Sequence, residues 1–120
     1  MRCAYCHNPQ LVLGKKKRLD WKEIRQFLKE RQNLLDGVVL SGGECTLTPD
    51  LPDFIKNLRK MGYKIKLDTN GLRPDVLDIL LSNRQLDYVA LDYKAPRNKF
   101  QRITGRSQFD TFRRSLEMLC

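Results

Sequence analysis

Nothing in this chain of 120 residues approaches the ~18 consecutive apolar residues of a membrane span, which excludes a membrane-spanning helix. The opening Met1-Arg2-Cys3-Ala4-Tyr5-Cys6 lacks the apolar h-region of a secretory signal, so the expected compartment is the cytoplasm. There are no internal repeats and no low-complexity linker. Acidic residues are in deficit: 14 Asp+Glu against 23 Lys+Arg leave a formal charge of +9. Such a surplus attracts anionic partners, but here the charges are spread over helix faces, where they keep a domain soluble. The densest run, Lys15-Lys16-Lys17-Arg18, has no interleaved aromatic residue. It therefore lacks the stacking faces that single-stranded nucleic acid needs, and nucleic acid is not an expected partner. What is present, 41% apolar and 31% charged residues, is the composition of a soluble globular domain.

The chain alternates between two hydrophobic periods. Asp20 with Glu23 forms a capping-box pattern, followed by Trp21, Ile24, Phe27, Leu28, Leu34 and Leu35 mostly on one helical face. After Gly37, the run Val38-Val39-Leu40 reads as a buried strand. Thr48-Pro49-Asp50 opens a second helix with Leu51, Phe54, Ile55, Leu58 and Met61 in a stripe, and Gly62 stops it. Tyr63 to Asp68 alternates as a strand. Pro74 suits the first turn of a helix carrying Val76, Leu77, Leu80 and Leu81. Tyr88-Val89-Ala90-Leu91 is a third strand, and Ser107 with Asp110 caps a last helix bearing Phe109, Phe112, Leu116 and Leu119. Short apolar strands between amphipathic helices predict an α/β fold with a parallel sheet of βα units. No strand precedes the first helix and no stop signal follows the last, so the expectation is a unit cut at both ends.

In parallel α/β folds, ligands bind at the carboxyl ends of the strands. Ser41-Gly42-Gly43-Glu44 follows the first strand, Asp68-Thr69-Asn70-Gly71 the second, and Asp92-Tyr93-Lys94-Ala95-Pro96 the third. Singly, each has an ordinary reading: a tight glycine turn, an Asn-Gly turn, a surface ion pair. Glycines without Cβ also permit close backbone approach to a ligand. Three polar segments at the same end of consecutive strands favour a site.

Cys3-Ala4-Tyr5-Cys6-His7 admits four readings. A c-type haem attachment has this spacing, but it needs an exported and normally all-helical chain. A redox dithiol wants a strand before it and a helix at it, whereas Asn8-Pro9 follows here. A zinc site needs two further ligands at matched spacing, and only His7, Cys45 and Cys120 are available. An iron–sulfur site needs closely spaced thiolates on a loop, which this motif supplies.

These segments together resemble the radical S-adenosylmethionine (SAM) family, and within it the activating proteins of anaerobic ribonucleoside-triphosphate reductases. Cys3 and Cys6 match the second and third cysteines of the family's Cys-x3-Cys-x2-Cys loop; the first would fall before Met1. Tyr5 matches the aromatic residue before the third. Ser41-Gly42-Gly43-Glu44 resembles the Gly-Gly-Glu motif, with Cys45 where many members have Pro. Asp68-Thr69-Asn70-Gly71 resembles the Asp-Thr-Asn-Gly segment of glycyl-radical activators, and Asp92 and Lys94 match an acid and a lysine facing the SAM pocket. Ile103-Thr104-Gly105 fits the long form of the reductase activators.

The resemblance implies a partial TIM-like (β/α) barrel, with residues 1–19 as the remnant of a cluster loop and residues 20–120 as three further βα units. It implies a 4Fe–4S cluster on Cys3 and Cys6, whose open iron takes the amino and carboxylate groups of SAM. Tyr5, Gly42, Gly43, Glu44, Asp68, Asn70, Asp92 and Lys94 would line the SAM site, with Glu44 receiving the ammonium. The implied reaction is reductive SAM cleavage, followed by hydrogen abstraction from a glycine of the reductase's glycyl-radical subunit. Flavodoxin or ferredoxin is the implied electron donor. The rival expectation is a barrel remnant or binding module that cannot hold a full cluster.

Overall fold

The computed structural model describes residues 19–120. The residues expected to bind the cluster, Cys3, Tyr5 and Cys6, lie outside them. Helix α1 (Trp21–Lys29) leads to strand β1 (Gly37–Leu40), a 3-10 turn (Cys45–Leu47), and helix α2 (Leu51–Lys60). Strand β2 (Lys64–Thr69), helix α3 (Pro74–Ser82) and strand β3 (Tyr88–Leu91) follow, then helices α4 (Arg97–Thr104) and α5 (Phe109–Glu117). The strands form one parallel sheet in the order β1-β2-β3. This is the expected α/β arrangement, an arc of a TIM-like barrel with its helices on one side. No helix among the described residues is long and apolar enough to cross a membrane.

The period-2 pattern of β2 decides which face is covered. Ile65 and Leu67 are fully buried and sit in register with Val38 and Leu40 on β1. They pack with Leu28, Leu51, Ile55, Leu58, Leu77 and Leu80 from the helices. Each such side chain removed from water contributes about 1.5–3 kcal/mol, which is what seats the helices on this face. The alternate positions Val39, Lys66 and Tyr88 are paired across the opposite face, where Val39 and Tyr88 remain exposed. Lys66 and Asp68 on that face pair with each other at 2.6 Å.

Three local expectations change. The capping box on Asp20 and Glu23 forms, but α1 stops at Lys29, and Asn33 takes a positive φ of 71°. Leu34 and Leu35 therefore leave the helical stripe and are exposed. Residues 97–104, not expected to be helical, form α4, which ends at Gly105 in the left-handed conformation. The cap expected from Ser107 and Asp110 is not made: Gln108 occupies the N-cap without a side-chain bond. Asp110 instead accepts both arms of the Arg97 guanidinium, a bidentate charge-assisted pair that outcompetes a single cap bond.

Candidate functional site

Parallel strands in register bring the three polar segments to one end of the sheet. The linkage is direct. Asp92 N–H donates to the Thr69 carbonyl at 2.9 Å, tying the ends of β3 and β2. The Glu44 carboxylate reaches from the loop after β1 to the end of β2. Its Oε2 accepts from the Asn70 backbone N–H at 2.7 Å. Its Oε1 accepts from the Thr69 hydroxyl at 2.6 Å, the Thr46 hydroxyl at 2.6 Å and the Thr46 N–H at 3.3 Å.

The local sequence explains this geometry. Glu44 is the N-cap of the short 3-10 turn and accepts from its second residue. Thr69 follows Ile65 and Leu67 on the buried face of β2, so its hydroxyl enters the interior at the strand's end. Gly42 has a φ of 142°, and Gly71 a φ of 72°. A Cβ on Gly71 would stand 2.6 Å from a Leu91 methyl, so this turn requires glycine on both conformational and steric grounds. Asn70 is buried, and its side-chain carbonyl accepts from Leu72 N–H at 3.0 Å.

Glu44 has no cationic partner among the described residues. The other acids expected at the site do: Lys66 pairs with Asp68, and Lys94 pairs with Asp92 at 2.8 Å. The negative charge is felt nearby. Burial first, and then the charges of Glu44 and Asp68, push the half-buried Cys45 thiol up to about 11. Cys45 is thus a neutral thiol at neutral pH, and no group of three or more His, Cys, Asp or Glu among the described residues gathers to hold a metal ion.

A cavity of about 180 Å³ opens beside Glu44 and Asn70, lined also by Leu47, Leu72, Arg73, Arg106 and Gln108. It lies below the ~300–1,000 Å³ of a pocket that encloses a drug-sized ligand, so it accommodates one end of such a molecule. The Glu44 side of this cavity fits a cationic group, while Arg73 and Arg106 line its other part. A carboxylate offers about four acceptor sites, and Oε2 accepts only the Asn70 N–H, which leaves room for an ammonium. Gly42 and Gly43 are exposed at the same loop. Thr46, Thr69, Arg106 and Gln108 were not among the residues expected here. For Thr69 a signal existed, a hydroxyl at a buried strand position beside Asp and Asn. For Arg106 and Gln108 there was none.

Comparison with known proteins places these observations in context. The profile described as the Radical SAM superfamily matches residues 1–120. A protein of Methanocaldococcus jannaschii named as a glycyl-radical enzyme activating enzyme is 36% identical over 84% of this chain and 42% of its own length. The pyruvate formate-lyase-activating enzyme of Clostridium pasteurianum is 32% identical over 98% of this chain and 52% of its own. A protein of Saccharolobus islandicus named as a GTP 3′,8-cyclase is 32% identical over 90% of this chain and 36% of its own. The chain thus spans about half or less of the length of these curated relatives.

Proposed function

The chain belongs to the Radical SAM superfamily, and from that premise we propose that the complete protein activates a glycyl-radical enzyme, with an anaerobic ribonucleoside-triphosphate reductase as its substrate. Two relatives bear activating-enzyme names, which supports the class of partner. The Asp68-Thr69-Asn70-Gly71 segment supports the same class, and Ile103-Thr104-Gly105 supports the choice of reductase. The bound cluster and SAM supply the electron transfer and radical chemistry; the protein supplies binding, orientation and exclusion of water.

Cys3 and Cys6 hold the cluster as thiolates. The Gly42 and Gly43 backbone and Glu44 hold the ammonium end of SAM. Asp68, Asn70, Asp92 and Lys94 orient the remainder, with Tyr5 as a further cofactor-binding residue. Flavodoxin or ferredoxin delivers the electron, and the setting is the cytoplasm. The observation that carries this reading is the unpaired Glu44 carboxylate, held by two hydroxyls and the Asn70 amide at the rim shared with Asp92. An anion so fixed and without an ion-pair partner among the described residues suits a ligand that is itself a cation, as SAM is at both its ammonium and its sulfonium.

The test is anaerobic reconstitution of the full-length protein with iron and sulfide, followed by reduction in the presence of SAM. The expected result is methionine and 5′-deoxyadenosine, with a glycyl-radical EPR doublet once the reductase is added. SAM cleavage without the doublet on the reductase would reject that partner. Failure to take up a cluster or cleave SAM would leave the barrel-remnant reading in its place.

A further inference from the structure

The rim has a support that reaches well beyond the motif residues. Thr69 is 3% exposed, and its hydroxyl bonds in two directions. It donates to Glu44 Oε1 at 2.6 Å and accepts from Gly71 N–H at 3.2 Å. The Gly71 carbonyl in turn accepts from the Ser115 hydroxyl at 2.7 Å. Ser115 is fully buried on α5, 44 residues away in sequence. A continuous set of bonds therefore runs from α5 through the Gly71 turn and Thr69 to the carboxylate at the mouth.

We infer that Thr69 is a positioning residue for the cofactor-facing carboxylate, and that Ser115 anchors it from α5. The inference rests on the functional reading above for its effect on SAM, but not for the bonds themselves. Glu44 sits on a loop that includes Gly42 at a φ of 142°, and bonds within that loop alone do not tie a carboxylate to the sheet. Thr46 of its own turn supplies two donors, but those that tie it to the sheet come from the end of a neighbouring strand whose place is set by the core: Thr69 lies two residues beyond the fully buried Leu67. A hydroxyl is required because the position must donate and accept at once. Valine has the same shape but does neither, so Thr69→Val leaves the Gly71 N–H without its partner and Glu44 Oε1 with Thr46 alone. Serine keeps both functions. The consequence is a preorganised anion whose orientation need not be established when the ligand arrives.

Two measurements on the full-length protein test this separately. Hydrogen exchange at the Asn70 and Gly71 amides reads the clamp without SAM. Thr69→Val is expected to lose about tenfold in protection there, Thr69→Ser to retain it, and Ser115→Ala to fall between. Unchanged protection in Thr69→Val overturns the inference. The second measurement is SAM affinity of the reconstituted protein, together with the change in the reduced cluster's EPR signal when SAM is added. Thr69→Val is expected to bind SAM about tenfold more weakly, with the serine variant restoring both affinity and spectrum. Lost protection with unaltered SAM affinity overturns the positioning role. A wild-type protein that takes up no SAM defeats the functional reading and with it the role in SAM binding, while exchange still decides whether the clamp exists. If Thr69→Val does not fold, Ser115→Ala removes the anchor from the Gly71 carbonyl, and unchanged Gly71 protection and SAM affinity there would overturn the inference.

Discussion

Each end of the sheet is spanned by one carboxylate, and the two are built differently. At the amino ends, Asp87 accepts from the Ile65 N–H at 2.7 Å and pairs with the Arg59 guanidinium at 2.7 Å. At the carboxyl ends, Glu44 accepts from the Asn70 N–H at 2.7 Å and is otherwise held by neutral hydroxyls and a backbone amide. Both stitch a loop to the adjacent strand. Of the two, only Asp87 has a cationic partner among the described residues. A carboxylate whose charge is compensated within the fold has completed its work in folding. One that is equally well fixed but left negative retains its field for something else, and Cys45, raised partly by that field, already registers it.

The largest effect in this contrast is expected from Gly71→Ala. The new Cβ would meet Leu91 at 2.6 Å and Phe112 at 3.1 Å, in a backbone with φ of 72°. The loss is about 3 kcal/mol of stability, read by denaturant unfolding. An alanine substitution at Gly62 meets no atom within 4 Å, and its lower cost would separate steric clash from positive φ alone. Next in size is Glu44→Gln, which keeps the shape and removes the charge. It is expected to weaken SAM binding by about tenfold or more, since a hydrogen bond to an ionised group is roughly twice as strong as a neutral one. Asp87→Asn at the other end should leave SAM affinity unchanged. Equal losses of affinity from the two variants would erase the distinction drawn here.

The Asp87 clamp has its own signature in pH. The Ile65 N–H first, and then Arg59, hold its carboxyl below the usual aspartate range. A depressed folded value means that the stabilisation is complete above the ordinary value of about 4 and is lost as pH falls through the folded one. Because the pair is partly exposed, its worth is only about 0.5 kcal/mol. Thermal melts between neutral and acid pH should show a shallower decline for Asp87→Asn than for the parent. The smallest effect is at Cys45. With its thiol pushed up to about 11, it should alkylate far more slowly at pH 8 than the exposed Cys120. Glu44→Gln should speed Cys45 by a few fold, as peptide-resolved mass spectrometry would show.

The strands and their helices were legible because their hydrophobic periods differ, and each period buries one face. Ile65, Leu67, Leu77 and Leu80 could be assigned to the core from spacing alone. Helix α4 was not legible, because its sequence, Arg-Asn-Lys-Phe-Gln-Arg-Ile-Thr, is polar apart from Phe100 and Ile103. It is held by tertiary contacts: Phe100 is 1% exposed and stacks edge-on against Phe109 of α5. The expected helical continuation through Leu34 and Leu35 failed for the converse reason. The spacing was right, but the turn at Asn33 carries these leucines off the stripe.

The sequence by itself determined that Glu44, Asn70 and Asp92 stand at the same end of successive parallel strands, because strand direction and period follow from local pattern. It also determined the family, since the motif residues occur in order along the chain. What each polar group does there was decided only by the tertiary structure. Thr69 and Ser115 are ordinary hydroxyl residues in a one-dimensional reading, and Asp68, Asp92 and Glu44 are three similar acids. Packing of β2 between its neighbours and α5 against the Gly71 turn gives two of those acids a lysine and the third a set of neutral donors. A hydrogen bond depends on distances of a few tenths of an ångström between residues far apart in the chain, and those distances exist only once the core has closed.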